Sequence, residues 1–244
     1  NKIIAGNTQV DFVPKVNGIN TLSLDLLKLT VDSIEINNSN LTYSYNDTLL
    51  IVNLGFVKNI GDTTSLTVYY RGTPQIDASL WGGFYFTATE AYNLGVGFYA
   101  DPHVYGRVWF PCFDNFVERS KYEFNIKTNS GKIAYCNGTL SKDTTDGSGF
   151  RTRTFILDEE IPSYLAMVAV GNYTQLNWSF VSITGDTIPL ILSDIATDTI
   201  KLKGSFINLK NGIACFENHY GPYPWKKAGY AVVPFGSGAM EHAT

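Results

Sequence analysis

Lys121-Tyr122-Glu123-Phe124-Asn125-Ile126-Lys127-Thr128 alternates apolar and polar residues without a break. Side chains on a strand point to opposite faces in turn, so Tyr122, Phe124 and Ile126 share one face and Glu123, Asn125 and Lys127 the other. That is a half-buried β-strand. Downstream, Phe150 to Leu157 reads as another strand, with Arg151 and Arg153 exposed on one face. Asp143 to Gly149, with its Asp-Gly and Ser-Gly steps, reads as the turn joining two strands. Upstream, Leu22, Leu24 and Leu26 alternate with Ser23 and Asp25, and Ile34 and Ile36 flank Glu35. Leu66, Val68 and Tyr70 alternate with Thr67 and Tyr69. Residues 20 to 190 therefore predict a mainly β domain, an antiparallel sandwich or saddle-shaped sheet. No repeat of about 20 to 50 residues is visible, which argues against propellers and solenoids.

The pattern changes near Ser193. Leu202, Phe206, Leu209, Ile213 and Phe216 follow at helical spacing and predict one amphipathic helix between Thr197 and Phe216. Thr197 or Asp198 can cap its start by accepting a bond from a free backbone N–H. Gly221-Pro222-Tyr223-Pro224 forbids further helix. Ala228 to Phe235 reads as a strand leading into Gly238-Ala239-Met240-Glu241. A domain boundary is expected near Ser193, with an all-β domain over residues 1–193. Residues 194–244 are then the first strand-helix-strand pieces of an α/β domain, too short for a full core of their own.

Composition narrows the function. Of 244 residues, 44% are hydrophobic and 16% charged, and fifteen Tyr and fifteen Phe favour pleated, half-buried surfaces. A net charge of −4 with no basic run argues against nucleic-acid binding, which needs clustered Lys and Arg. No apolar stretch approaches the roughly 18 residues that span a bilayer. The sequence starts at Asn1 without an initiator Met or a leader. A removed signal peptide or a start inside a longer protein is expected. Asn37, Asn40, Asn46, Asn137, Asn172 and Asn177 head N-x-S/T sequons, which lean towards an exported protein, periplasmic or secreted. Cys112, Cys136 and Cys215 are too few and too far apart for a zinc knuckle or a disulfide framework. They read as buried small hydrophobes, with room for one disulfide.

Four segments carry a resemblance. Arg107-Val108-Trp109-Phe110-Pro111-Cys112-Phe113-Asp114 is one. Pro162-Ser163-Tyr164-Leu165 through Val168-Ala169-Val170-Gly171 is the second. The third is Phe216-Glu217-Asn218-His219-Tyr220-Gly221-Pro222-Tyr223-Pro224-Trp225, and the fourth Gly238 to His242. Together, in this order, they resemble the R-x-x-F-P-C-x-D, P-S-Y-L…A-V-G, G-x-Y-P-W and G-x-M-E-N segments of the aminopeptidase N family of zinc metallopeptidases. The resemblance implies an N-terminal β domain followed by the opening segment of a thermolysin-like α/β catalytic domain. It also implies a parent hydrolase that removes N-terminal residues from peptides.

By that resemblance Glu241 grips the substrate's α-ammonium. The physics agrees: a charged amine needs an anionic partner, and a charge-assisted hydrogen bond contributes about 1.5–3 kcal/mol. Gly238 and Ala239 are small enough for a substrate strand to pair beside them, and Met240 reads as packing. A solvated glutamate in a glycine-rich loop is the structural alternative. His242 stands where the family has Asn and reads as a bystander. The family's second contact to the amine comes shortly before the arginine matching Arg107. There Pro102 stands near the expected place, and Asp101, one step away, is the candidate substitute. Arg107 and Asp114 read as a structural pair bracing their loop, Trp109 and Phe110 as core, and Tyr223 and Trp225 as packing in a tight turn. Glu159 and Glu160 read as solvated.

The family's zinc is held by H-E-x-x-H and a distal glutamate, the glutamate between the histidines activating water. His103, His219 and His242 have no such spacing, so no metal ligand and no catalytic residue is expected in this sequence, and the 244 residues alone are expected to be inactive. Zinc belongs to the parent enzyme, and the remainder of its catalytic domain is the expected partner. An aminopeptidase-like interaction or scaffold module is the alternative. A carbohydrate-binding sandwich explains the aromatics and strands but not the four ordered motifs.

Overall fold

A computed structural model describes residues 2–129, 131–195, 199–236 and 238–244, Thr199 by its backbone alone. The described residues form β1 (Ile4–Phe12), β2 (Ile19–Asp25), β3 (Thr30–Ile36), β4 (Ser39–Asn40), β5 (Tyr43–Tyr45), β6 (Leu49–Lys58), β7 (Thr64–Gly72), β8 (Gly82–Phe86) and β9 (Ala91–Gly97). They continue through β10 (Ser120–Thr128), β11 (Ile133–Cys136), β12 (Thr139–Thr145), β13 (Arg151–Ile161), β14 (Val168–Gly171), β15 (Tyr173–Val181) and β16 (Thr187–Ile195). Helices α1 (Thr199–Ser205) and α2 (Leu209–Tyr220) and strand β17 (Ala228–Ala231) follow. The protein is mainly β with antiparallel sheets, as its alternating pattern predicts.

Two compact units divide the chain. One comprises Asn1–Tyr85, Leu94–Arg119 and Pro162–Leu165; the other comprises Phe86–Asn93, Ser120–Ile161 and Ala166–Thr244. In the first unit, antiparallel sheets run in the orders β1-β7-β3-β4 and β2-β6-β5. Leu24, Leu50 and Val52 of one sheet and Ile34, Leu66 and Val68 of the other are buried. Their period-2 spacing is what puts them on the buried face of each sheet.

In the second unit, β13 lies between β10 and β12, and Phe124 faces Phe155 across the ladder. The expected turn is shorter than its sequence signal: β12 runs to Thr145, and Asp146 closes the turn by accepting from Ser148 and Phe150 N–H. Arg153 corrects a further expectation. It is buried, on the same face as Phe155 and Leu157. Its guanidinium sits 4.8 Å from the Tyr135 ring and 5.1 Å from the Phe155 ring. Nη1 donates to the Ala134 carbonyl at 2.7 Å, and Nε stands 3.1 Å from Asp143 Oδ2. Aromatic faces and a carboxylate stabilise a cation that the alternation alone would put in water.

β15 and β16 form a hairpin, and β17 pairs with β16 in parallel, Leu190 opposite Ala228. Parallel neighbours need a crossover, and α1 and α2 supply it. The expected single helix is two helices, broken over residues 206–208. Gly204 and Ser205 weaken the helix there, and Leu209 N–H bonds the Phe206 carbonyl, a tighter closure than an α-helix makes. The candidate caps Thr197 and Asp198 lie outside the described residues. Leu209 and Ile213 pack on Phe180, Leu190 and Ala228, as the spacing predicts. Phe216, expected on that face, is exposed. So is Cys215, which the sequence reading placed in the core; two residues after Ile213 on a helix, it points away from the sheet. Cys112 and Cys136 are buried, and all three thiols are free. Among the described residues no helix is long and apolar enough to cross a membrane.

Candidate functional site

The strand expected to run from Ala228 through Phe235 ends at Ala231, and no strand carries Gly238 to Glu241. One more ladder bond forms, from Val232 N–H to the Ser193 carbonyl at 2.9 Å. Pro234 then has no N–H to give, and Phe235 N–H turns back to the Val233 carbonyl. Gly238 has φ 91°, a left-handed backbone that favours glycine. The described residues 232–236 and 238–244 are therefore irregular, with a hydrogen-bonded anchor near each end. Near the start, the Tyr92 hydroxyl donates to the Pro234 carbonyl at 3.3 Å. At the end, Asn137 Nδ2 donates to the Ala243 carbonyl, and Gly138 N–H donates to Thr244 Oγ1 at 2.8 Å. Between the anchors Gly238, Ala239 and Glu241 are exposed and Met240 and His242 half-buried. An exposed carboxylate beside small residues can accept hydrogen bonds from an ammonium group.

Asp101 lies in the other unit, where it is exposed and lines a groove of about 450 Å³ with Asp25, Asp77, Tyr99, Tyr105 and Arg107. Asp77, which the sequence reading passed over, is buried there. Burial pushes its carboxyl up, but bonds from the Ser79 hydroxyl and from the N–H groups of Ser79, Tyr99 and Ala100 hold it below the usual range. It builds the loop beside Asp101. Arg107 and Asp114 form the structural pair expected of them, 3.4 Å apart. Asp114 also accepts from the N–H groups of Gly106 and Arg107 and from the Ser163 hydroxyl. Burial raises its carboxyl above the usual range despite these bonds. Trp109 and Phe110 are buried edge-to-face neighbours, centroids 4.6 Å apart.

Glu217, at the end of α2, is buried and accepts from the Ser182 hydroxyl at 2.5 Å, Ile183 N–H at 3.1 Å and Tyr223 N–H at 2.8 Å. Those bonds, the hydroxyl's first, keep its carboxyl below the usual range. The glutamate thus ties the helix end to the β15–β16 turn and to the Gly221–Pro224 corner. His219 Nδ1 lies 2.8 Å from the Cys215 carbonyl, and His103 Nδ1 3.3 Å from the Gly97 carbonyl. Among the described residues no three His, Cys, Asp or Glu side chains converge as metal ligands would. The zinc that the resemblance implies does not fit any residue set described here.

The residue that sequence reasoning missed is Asn137. It read only as one of six sequon asparagines, yet it is fully buried, while Asn37, Asn40, Asn46, Asn172 and Asn177 are exposed. The Asn-Gly step at 137–138 was the available signal, since it marks a turn with side-chain bonding to backbone.

The sequence profile of the Peptidase M1 N-terminal domain family matches residues 1–165. Leucine aminopeptidase 2 of Vanderwaltozyma polyspora is 27% identical over 160 residues, 63% of this chain and 24% of its own. Endoplasmic reticulum aminopeptidase 1 of Rattus norvegicus is 26% identical over 143 residues, 56% of this chain and 14% of its own. An M1 zinc metallopeptidase from Deinococcus radiodurans superposes with a TM-score of 0.84 at 21% identity, over 98% of this chain and 54% of that one. A two-domain M1 zinc metallopeptidase bound to L-tryptophan superposes at 0.86 and 21% identity, over 100% of this chain and 55% of that one. The chain thus spans a quarter or less of these two relatives and about half of the solved structures.

Proposed function

From a chain that belongs to the Peptidase M1 N-terminal domain family, we propose the N-terminal portion of a zinc aminopeptidase that removes N-terminal residues from peptides. Glu241 recognises the free α-amine. The observation that carries this is the exposed Glu241 carboxylate on a span anchored at both ends, next to exposed Gly238 and Ala239. A carboxylate held in this way rewards a chain end, because an internal peptide bond carries no charge for it to pair with. Residues 1–193 form the N-terminal β domain in this proposal, and residues 194–244 open the catalytic domain.

Zinc, which in such an enzyme polarises the scissile carbonyl and supplies the attacking water, is held by residues outside this sequence. The 244 residues alone therefore bind no zinc specifically and cleave nothing. Relatives bound to L-tryptophan or to a Tyr-Ser-Ala substrate are consistent with peptide ligands. Export belongs to the same proposal, resting on the five exposed sequon asparagines.

The test is expression of this chain with the coding sequence that follows Thr244. Chelator-sensitive release of N-terminal residues is expected from the longer protein and not from residues 1–244. A longer protein without an H-E-x-x-H segment, or without activity, would instead favour a scaffold module.

A further inference from the structure

We infer that Asn137 is a positioning residue: it fixes the span that carries Glu241 and so sets where the carboxylate meets a peptide amine. The inference rests on the reading of Glu241 given above. Asn137 follows β11 and is 0% exposed. Its Oδ1 accepts from Met167 N–H at 2.6 Å, while Nδ2 donates to the Ala243 carbonyl. With both ends of the carboxamide engaged, the side chain cannot rotate without leaving buried groups unpaired. Asp lacks the donor, Leu lacks both functions, and Gln is one methylene too long.

Gly138 adds the second point of the clamp through its bond to Thr244 Oγ1. Consecutive residues 137 and 138 thus hold consecutive residues 243 and 244, which fixes direction as well as place. Glu241 is two residues before Ala243, at most about 7 Å of chain away. At the far end the Tyr92 hydroxyl holds the Pro234 carbonyl. Among the described residues of the span none lies in a helix or strand, so the clamp contributes positioning that a strand would otherwise supply.

The test uses Asn137→Asp, which keeps the acceptor for Met167 and removes the donor to Ala243, and Thr244→Val, which removes the acceptor for Gly138. Hydrogen exchange is followed in the 244-residue chain, and peptide kinetics in the protein extended past Thr244. Amides of residues 238–244 are expected to exchange about fivefold to tenfold faster in both variants, the loss of one modest hydrogen bond. The β11–β14 pair is expected to stay protected. In the extended protein, KM for a free-amine peptide is expected to rise about fivefold to tenfold at unchanged kcat, the signature of lost uniform binding. If Asn137→Asp does not fold, Thr244→Val decides alone. Unchanged exchange over residues 238–244, or faster exchange with unchanged KM, overturns the inference. An inactive wild-type protein sinks the reading of Glu241 and the kinetic half of this inference with it, whereas the exchange data still report the clamp.

Discussion

Asp143 lies directly across the β12–β13 ladder from Arg153, with its Oδ2 3.1 Å from the buried guanidinium and 2.6 Å from Arg151 Nη2. The bond from Arg151 leads the causes that hold the Asp143 carboxyl below the usual range. Removing that charge leaves Arg153 buried beside aromatic rings with less compensation. Asp143→Asn is expected to cost about 1–3 kcal/mol at neutral pH, towards the lower end because Arg151 is partly exposed. A carboxylate with a depressed folded pKa stabilises above its unfolded pKa and stops doing so as pH falls through the folded one. Urea titrations should therefore show wild type and variant differing at neutral pH and converging only as pH falls below the ordinary carboxylate range, through the lowered folded value.

Lys227 also makes stability rise with pH, but because its charged form is penalised rather than stabilised. It is buried, donates to the Cys136 carbonyl at 3.0 Å, and has Arg153 and Cys136 as neighbours. Burial lowers its ammonium from 10.5 to about 8. Between about pH 8 and 10.5 the unfolded chain binds the proton more readily than the folded one, so stability contributed by this site rises with pH. Below that window the penalty is full, about 3 kcal/mol. Lys227→Met is expected to abolish this gain, seen as a shrinking stability difference between variant and wild type from pH 7.5 to 10.5.

Gly138 tests the backbone beside the clamp. Its φ is 77°, and a Cβ there would stand 2.1 Å from the Ile156 carbonyl oxygen. Gly138→Ala is expected to destabilise by about 3 kcal/mol or more, since the left-handed backbone and the collision act together. Thermal unfolding of the variant measures it. A loss below about 1 kcal/mol would mean that the strand edge yields.

The strands were legible because one physical rule produces them. Tyr122, Phe124 and Ile126 turn inward from Glu123, Asn125 and Lys127, as do Leu22, Leu24 and Leu26 from their polar neighbours. Arg153 was not legible, because the rings that shelter it come partly from Tyr135, eighteen positions away. The helix break at 206–208 came from local weakness that the apolar spacing overrode on paper. Glu241 stands out in the sequence through its motif, but the contacts that hold its segment do not. The strand expected beneath it stops at Ala231, and its anchor is an asparagine more than a hundred positions earlier. Side-chain-to-backbone contacts of that range leave no periodic trace.

The central claim is that Glu241 receives a peptide's free amine. The direct measurement is kcat/KM of the protein extended past Thr244, wild type against Glu241→Gln, for one peptide. Loss of a charge-assisted bond of about 1.5–3 kcal/mol is expected to lower kcat/KM about tenfold to a hundredfold with the fold unchanged. Equal kcat/KM for the two proteins would contradict the account.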